Sequence, residues 1–185
     1  MPNTNTVAQA ISSAGKFCPS PSQGVSSSAE FQFADAASSG NALIAWLPGS
    51  NKLQNRPIRI RMWGRVTTGG AYTFTGQIYL ANAASSQTLA NSTSIATTGA
   101  VTYSTVSGNF HLEVIGVWDS TSTYFQGTYD GYANGTAKTQ TICTSVSKPA
   151  LAPSTEGLAV TASGTFGTSH ASNLAVLDGL EIEAL

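Results

Sequence analysis

Five of the eight basic residues in this 185-residue chain, Lys52, Arg56, Arg59, Arg61 and Arg65, fall in one short segment, and no acid stands between Asp35 and Glu113. Arg59, Arg61 and Arg65 alternate with Ile58, Ile60, Met62 and Val66, and Trp63 joins the arginines. Successive side chains of an extended chain point to opposite faces, so Arg59, Arg61, Trp63 and Arg65 share one face of a strand. Guanidinium groups beside an indole could take phosphate or nucleic acid, with Trp63 as a stacking surface. They could equally meet an acidic patch on a partner protein. A third outcome is pairing inside the sheet, with Glu113, Asp119, Asp130, Asp178, Glu181 or Glu183. These four residues are the candidate partner-binding face.

Catalytic chemistry finds little material. His111 and His170 are the only histidines and Cys18 and Cys143 the only cysteines, with no CxxC or HxxxH spacing for zinc. There is no Gly-x-Ser-x-Gly elbow. Glycoside hydrolysis needs two carboxylates about 5–10 Å apart across a cleft, and nothing marks Glu113 with Asp119 or Asp130 as such a pair. Asp130-Gly131 and Asp178-Gly179 lack the alternating ligands of a calcium loop. The expectation is a protein with no catalytic residues, no metal and no cofactor. Trp63, Tyr79, Tyr124, Tyr129 and Tyr132 form a second group of interest. Aromatic rings on a sandwich face can serve as sugar platforms, or can simply pair across strands.

Only 9% of the residues are charged, against about 25% in an average soluble protein. Ser, Thr, Ala, Gly and Asn stand in their place. Such a surface is cheap to immobilise and repels neighbours weakly, and a net charge of −1 gives little protection against self-association. The pI of about 6.0 gives no support to nucleic acid or an anionic membrane as a general partner. No run of 18 apolar residues could span a bilayer, and no basic residue precedes Lys16, so residues 1–15 do not read as a secretory signal. Cys18 and Cys143 are then read as separate thiols of a reducing compartment. The patterns Asn91-Ser92-Thr93 and Asn134-Gly135-Thr136 match glycosylation acceptors, but in so Ser- and Thr-rich a chain they carry little weight.

The elements that must carry these residues are strands. Residues 1–28 are small, polar and broken by Pro2, Pro19 and Pro21, and read as an extended arm with room for one short helix through Val7, Ala10 and Ile11. Period-two alternation begins at residue 29. It predicts strands at 30–33, where Glu30 and Gln32 alternate with Phe31 and Phe33, and at 43–47, 58–66, 72–80, 110–118, 124–132, 139–146, 158–162 and 177–185, with a weaker stretch at 82–103 that suits edge strands or a loop. Residues 164–172 read as a Gly/Ser-rich connection. Strand 110–118 is apolar on both faces in its later half and should lie centrally, and Asn134-Gly135 signals a hairpin. Turns every 8–12 residues or so indicate an all-β, antiparallel β-sandwich (jelly roll) over residues 29–185.

The phrasing of residues 59–69, 107–113, 118–122, 164–167 and 177–183 resembles that of tailed-bacteriophage capsid decoration (cement) proteins with a β-sandwich or jelly-roll fold. The likeness covers roughly residues 55–185. It implies a virion structural protein, made in the host cytoplasm, that sits as a homotrimer on the outer capsid surface and braces the major capsid protein. No catalytic residue comes with it. The arm would then be an anchor, with Val7, Ile11, Phe17 and Val25 as its apolar contacts. Ordering it costs about 1–2 kcal/mol per residue in backbone entropy, which many contacts or many copies must recover. The alternative is a carbohydrate-binding β-sandwich module of a tail or fibre protein.

Overall fold

Alternating apolar residues build two antiparallel sheets whose inner faces meet in a single core. The structure, a computed structural model, describes residues 23–24, 28–35, 41–42, 44–47, 49, 56–82, 88–103, 108–118, 124–133, 136–147 and 157–185. Its strands are β1 (Gln23–Gly24), β2 (Phe31–Gln32), β3 (Ala34–Asp35), β4 (Asn41–Ala42), β5 (Ile44–Leu47), β6 (Pro57–Thr67), β7 (Tyr72–Asn82), β8 (Thr93–Thr97), β9 (Val101–Tyr103), β10 (Gly108–Trp118), β11 (Tyr124–Ala133), β12 (Thr136–Ser147), β13 (Leu158–Phe166) and β14 (Leu174–Ala184). Sheet I runs β1-β14-β6-β10-β11-β12. Sheet II runs β2-β13-β7-β8, with β5 also on β13 and β9 also on β7, and β3 and β4 form a separate two-stranded ribbon. This is the expected antiparallel β-sandwich, and it joins early strands to late ones in both sheets.

The core follows the sequence pattern. Ile58, Ile60, Met62 and Val66 of β6, Phe110, Leu112 and Val114 of β10, and Leu177, Leu180 and Ile182 of β14 pack from sheet I against Phe74, Ile78 and Leu80 of β7 and Val160, Ala162 and Phe166 of β13. Phe74 is the hub of the aromatic part, with ring centroids 5.3 Å from Phe110 and 5.1 Å from Phe166. Gly64 is the inward position of β6 that carries no side chain. A Cβ there would stand 2.2 Å from the Val176 carbonyl oxygen and 2.5 Å from Cζ of Phe110, so the Phe110 ring fills the gap.

β10 lies between β6 and β11, the central place its apolar later half suggested. Its outer face still reaches solvent, since Ile115 is 44% exposed. The weak stretch at 82–103 supplies the short edge strands β8 and β9. Some boundaries differ from expectation: β12 and β14 each begin three residues early, at Thr136 and Leu174, and β13 runs on through Gly164 to Phe166, so that only residues 167–173 connect it to β14. The fully buried Phe166 draws that segment into the sheet despite its Gly and Ser. β11 and β12 pair Ala133 with Thr136, the two-residue connection that Asn134-Gly135 signalled. The arm's anchoring residues Val7, Ile11, Phe17 and Val25, its short helix and Cys18 lie outside the described residues. Of the arm, β1 pairs with the start of β14, Gln23 opposite Ala175 and Gly24 opposite Leu174.

Candidate functional site: the outer face of sheet I

β6 runs between β14 and β10, so each outward arginine has a neighbour on both sides. Arg59 is opposite Glu183, Arg61 is opposite Glu181, and on the other flank Arg61 is opposite Glu113. The Arg59 guanidinium donates to Glu183 through Nη2. Arg61 donates from Nε and Nη2 to Glu181 Oε2 at 3.1 and 2.7 Å, and its Nε stands 4.0 Å from Glu113 Oε2. Arg65 makes a two-pronged contact with Asp178, Nε to Oδ2 at 2.8 Å and Nη2 to Oδ1 at 2.7 Å. These hydrogen bonds raise the pKa values of Arg59 and Arg65 above the ordinary guanidinium value, outweighing desolvation.

The strand is basic, but among the described residues its face is not. Three cations, Arg59, Arg61 and Arg65, are set against four anions, Glu113, Asp178, Glu181 and Glu183. Of the three outcomes open from the sequence, pairing inside the sheet is the one the geometry displays. Glu181 is the most buried of the acids at 8% exposure, and its compensation by Arg61 is what makes that burial tolerable.

Trp63 sits among these ladders opposite Gly179 on β14 and His111 on β10. A Cβ on Gly179 would stand 2.1 Å from Cζ2, 2.4 Å from Cη2 and 2.5 Å from Cε2 of the indole. A point off the rim of the ring would lie far closer to one atom than to its two neighbours. Near-equal distances therefore put Gly179 under the ring face, and the indole lies flat on β14. The register shift between Leu177 and Gly179 makes this possible. A β-bulge gives Asp178 an unpaired place, so Asp178 swings to Arg65 while Leu177 and Leu180, three residues apart, both remain fully buried.

Of the tyrosines, Tyr132 is the backbone register partner of His111 and Tyr129 that of Val114; the side chains of Tyr124, Tyr129 and Tyr132 lie outside the described residues. Tyr79 is on the other sheet, in a network that sequence reasoning missed. Glu30 Oε1 accepts from Gln77 Nε2 at 2.8 Å, Tyr79 Oη at 2.7 Å and Ser163 Oγ at 2.5 Å. Burial first, and the bond to Glu30 second, push Tyr79 up to about 12. The alternation of Gln77 and Tyr79 and of Glu30 and Gln32 placed all four outward, but nothing in sequence says that these strands converge.

His170 lies at one end of the sandwich, its ring centroid 5.7 Å from that of Tyr72, far along the chain from His111 on β10. Among the described residues no three His, Cys, Asp or Glu side chains gather as a metal site would require, and no helix is long and apolar enough to cross a membrane.

No family model matches the chain, and no curated protein matches it. Among solved structures, one similar chain is a carbohydrate esterase from the Shiga toxin-encoding bacteriophage phi24B, at 15% identity and a TM-score of 0.32, with 95% of each chain covered. A similarity of that size assigns neither an activity nor a partner.

Proposed function

We propose that the protein is a virion structural protein that decorates and stabilises a bacteriophage capsid, without catalytic activity. Residues 1–28 grip the major capsid protein through Val7, Ile11, Phe17 and Val25, and the sandwich rides on the outside as part of a homotrimer. The observation that carries this reading is the pairing of β1 with β14, which ties the end of the arm to the edge of sheet I at a fixed place. A tethered arm converts weak contacts into strong attachment when several copies act together. The low charge of the chain supports the same reading, since few side chains must be desolvated or immobilised at each contact.

The test is a titration of the full-length protein onto undecorated phage heads, followed by occupancy and by the temperature at which the heads rupture. The expected result is saturable binding and a raised rupture temperature. Both should be lost in a variant carrying Val7→Ser, Ile11→Ser and Phe17→Ser whose own unfolding midpoint is unchanged. Protein that leaves the rupture temperature unaltered, or a triple variant that binds as well as the parent, would overturn the proposal.

A further inference from the structure

We infer that the outer face of sheet I is a binding site for a neutral saccharide, with the free face of the Trp63 indole as its platform. This inference does not depend on the capsid reading.

Trp63 is half-buried, and the flat seat on Gly179 uses one face of its ring. The opposite face therefore looks away from the sheet, parallel to it. A pyranose has an apolar face of C–H groups and a rim of hydroxyls, each able to donate and accept. Its apolar face matches an exposed aromatic ring, and its rim needs polar groups set around that ring at fixed places. Arg61 and Arg65 stand two residues either side of Trp63 on the same strand face. Each spends Nε and Nη2 on an acid of β14, and the Nη1 groups make no hydrogen bond among the described residues. Those Nη1 groups are pre-oriented donors, and Glu113, whose one ion pair among the described residues is the 4.0 Å approach to Arg61, is an acceptor in the adjoining row.

The charge of the face chooses the ligand class. Among the described residues of the face, three cations against four anions give no net attraction for a phosphate chain or an acidic polymer, and each of the three arginines is already engaged. The row Gly179, Trp63 and His111 crosses three adjacent strands. With neighbouring strands about 4.8 Å apart, it is long enough for more than one sugar ring of an oligosaccharide laid across the sheet.

The experiment titrates full-length protein with four neutral tetrasaccharides: an α-1,4-glucan, a β-1,4-glucan, an α-mannan and a β-1,4-linked N-acetylglucosamine oligomer. Calorimetry measures binding, and the indole N–H signals of the three tryptophans report its place. At least one should bind saturably, with a Kd of roughly 0.1–1 mM, and shift the Trp63 signal most; Trp63→Ala should weaken it by about tenfold. Trp46→Phe should leave it unchanged. The inference is overturned if none binds, if binding leaves the Trp63 signal in place, if a folded Trp63→Ala protein binds equally well, or if oligothymidylate binds in place of the sugars. Head decoration should survive Trp63→Ala, so failure of the sugar site and failure of the capsid reading are separately visible.

Discussion

Arg65 and Asp178 face each other through two parallel hydrogen bonds of 2.8 and 2.7 Å, although the backbone partner of Arg65 on β14 is Val176. The bulge brings them together: as the extra residue of β14, Asp178 leaves the ladder and turns back along the face. The same face holds a second kind of pair, Arg61 with the mostly buried Glu181, and the two should respond very differently to mutation.

Asp178→Ala should move the urea midpoint very little, because Arg65 remains well exposed and water replaces the lost partner. Arg61→Ala should cost about 2 kcal/mol, because it strands the Glu181 carboxylate at 8% exposure. Arg61→Ala combined with Glu181→Gln should recover part of that loss. Equal effects of Asp178→Ala and Arg61→Ala would contradict this ordering.

Gly64→Ala should be among the most damaging single substitutions, at about 3 kcal/mol. Its Cβ would meet both the Phe110 ring and the Val176 carbonyl oxygen, the latter at 2.2 Å. Trimming the ring should not help, since the backbone obstacle stays. Thermal unfolding of Gly64→Ala with and without Phe110→Ala checks this, and rescue by the second change would show that the ring is the sole obstacle.

Alkaline pH should weaken the fold between about 10 and 12. Burial pushes both Tyr79 and Tyr103 up to about 12 from the ordinary value of 10.0. The unfolded chain thus releases these protons first, and the stabilisation present below pH 10 is lost as pH rises through 12. Stability measured by denaturant midpoint across this range should fall more gently in Tyr79→Phe and Tyr103→Phe than in the parent. Parallel curves would rule out the two tyrosines as the cause.

Glu30→Ala should loosen the edge of sheet II selectively. It removes the common acceptor of Gln77, Tyr79 and Ser163 and leaves the buried Ser163 hydroxyl without it, at a cost of about 1–3 kcal/mol. Amide exchange should quicken in Phe31 and Gln32 of β2 and remain slow in β6 and β10. Uniform quickening would instead mean that Glu30 supports the whole sandwich.

The chain's local order was open to view from its residues. Alternation alone set Ile58, Ile60, Met62 and Val66 inward and Arg59, Arg61, Trp63 and Arg65 outward, because side-chain direction along a strand has a period of two wherever one face is buried. The hairpin at residues 134–135 and the central place of β10 were legible for similarly local reasons. Pairing across the molecule was not. Glu181 and Glu183 stand more than a hundred residues from Arg61 and Arg59, and composition offered several acids for each arginine. The arginine-rich segment looked like a basic face until β14 lay down beside it with its acids in register. The bulge at Asp178, the flat seat of Trp63 on Gly179 and the Glu30 network all arise from which strands become neighbours. That choice is made by the packing of two sheets around one core, a property of the whole chain that no short stretch of residues contains.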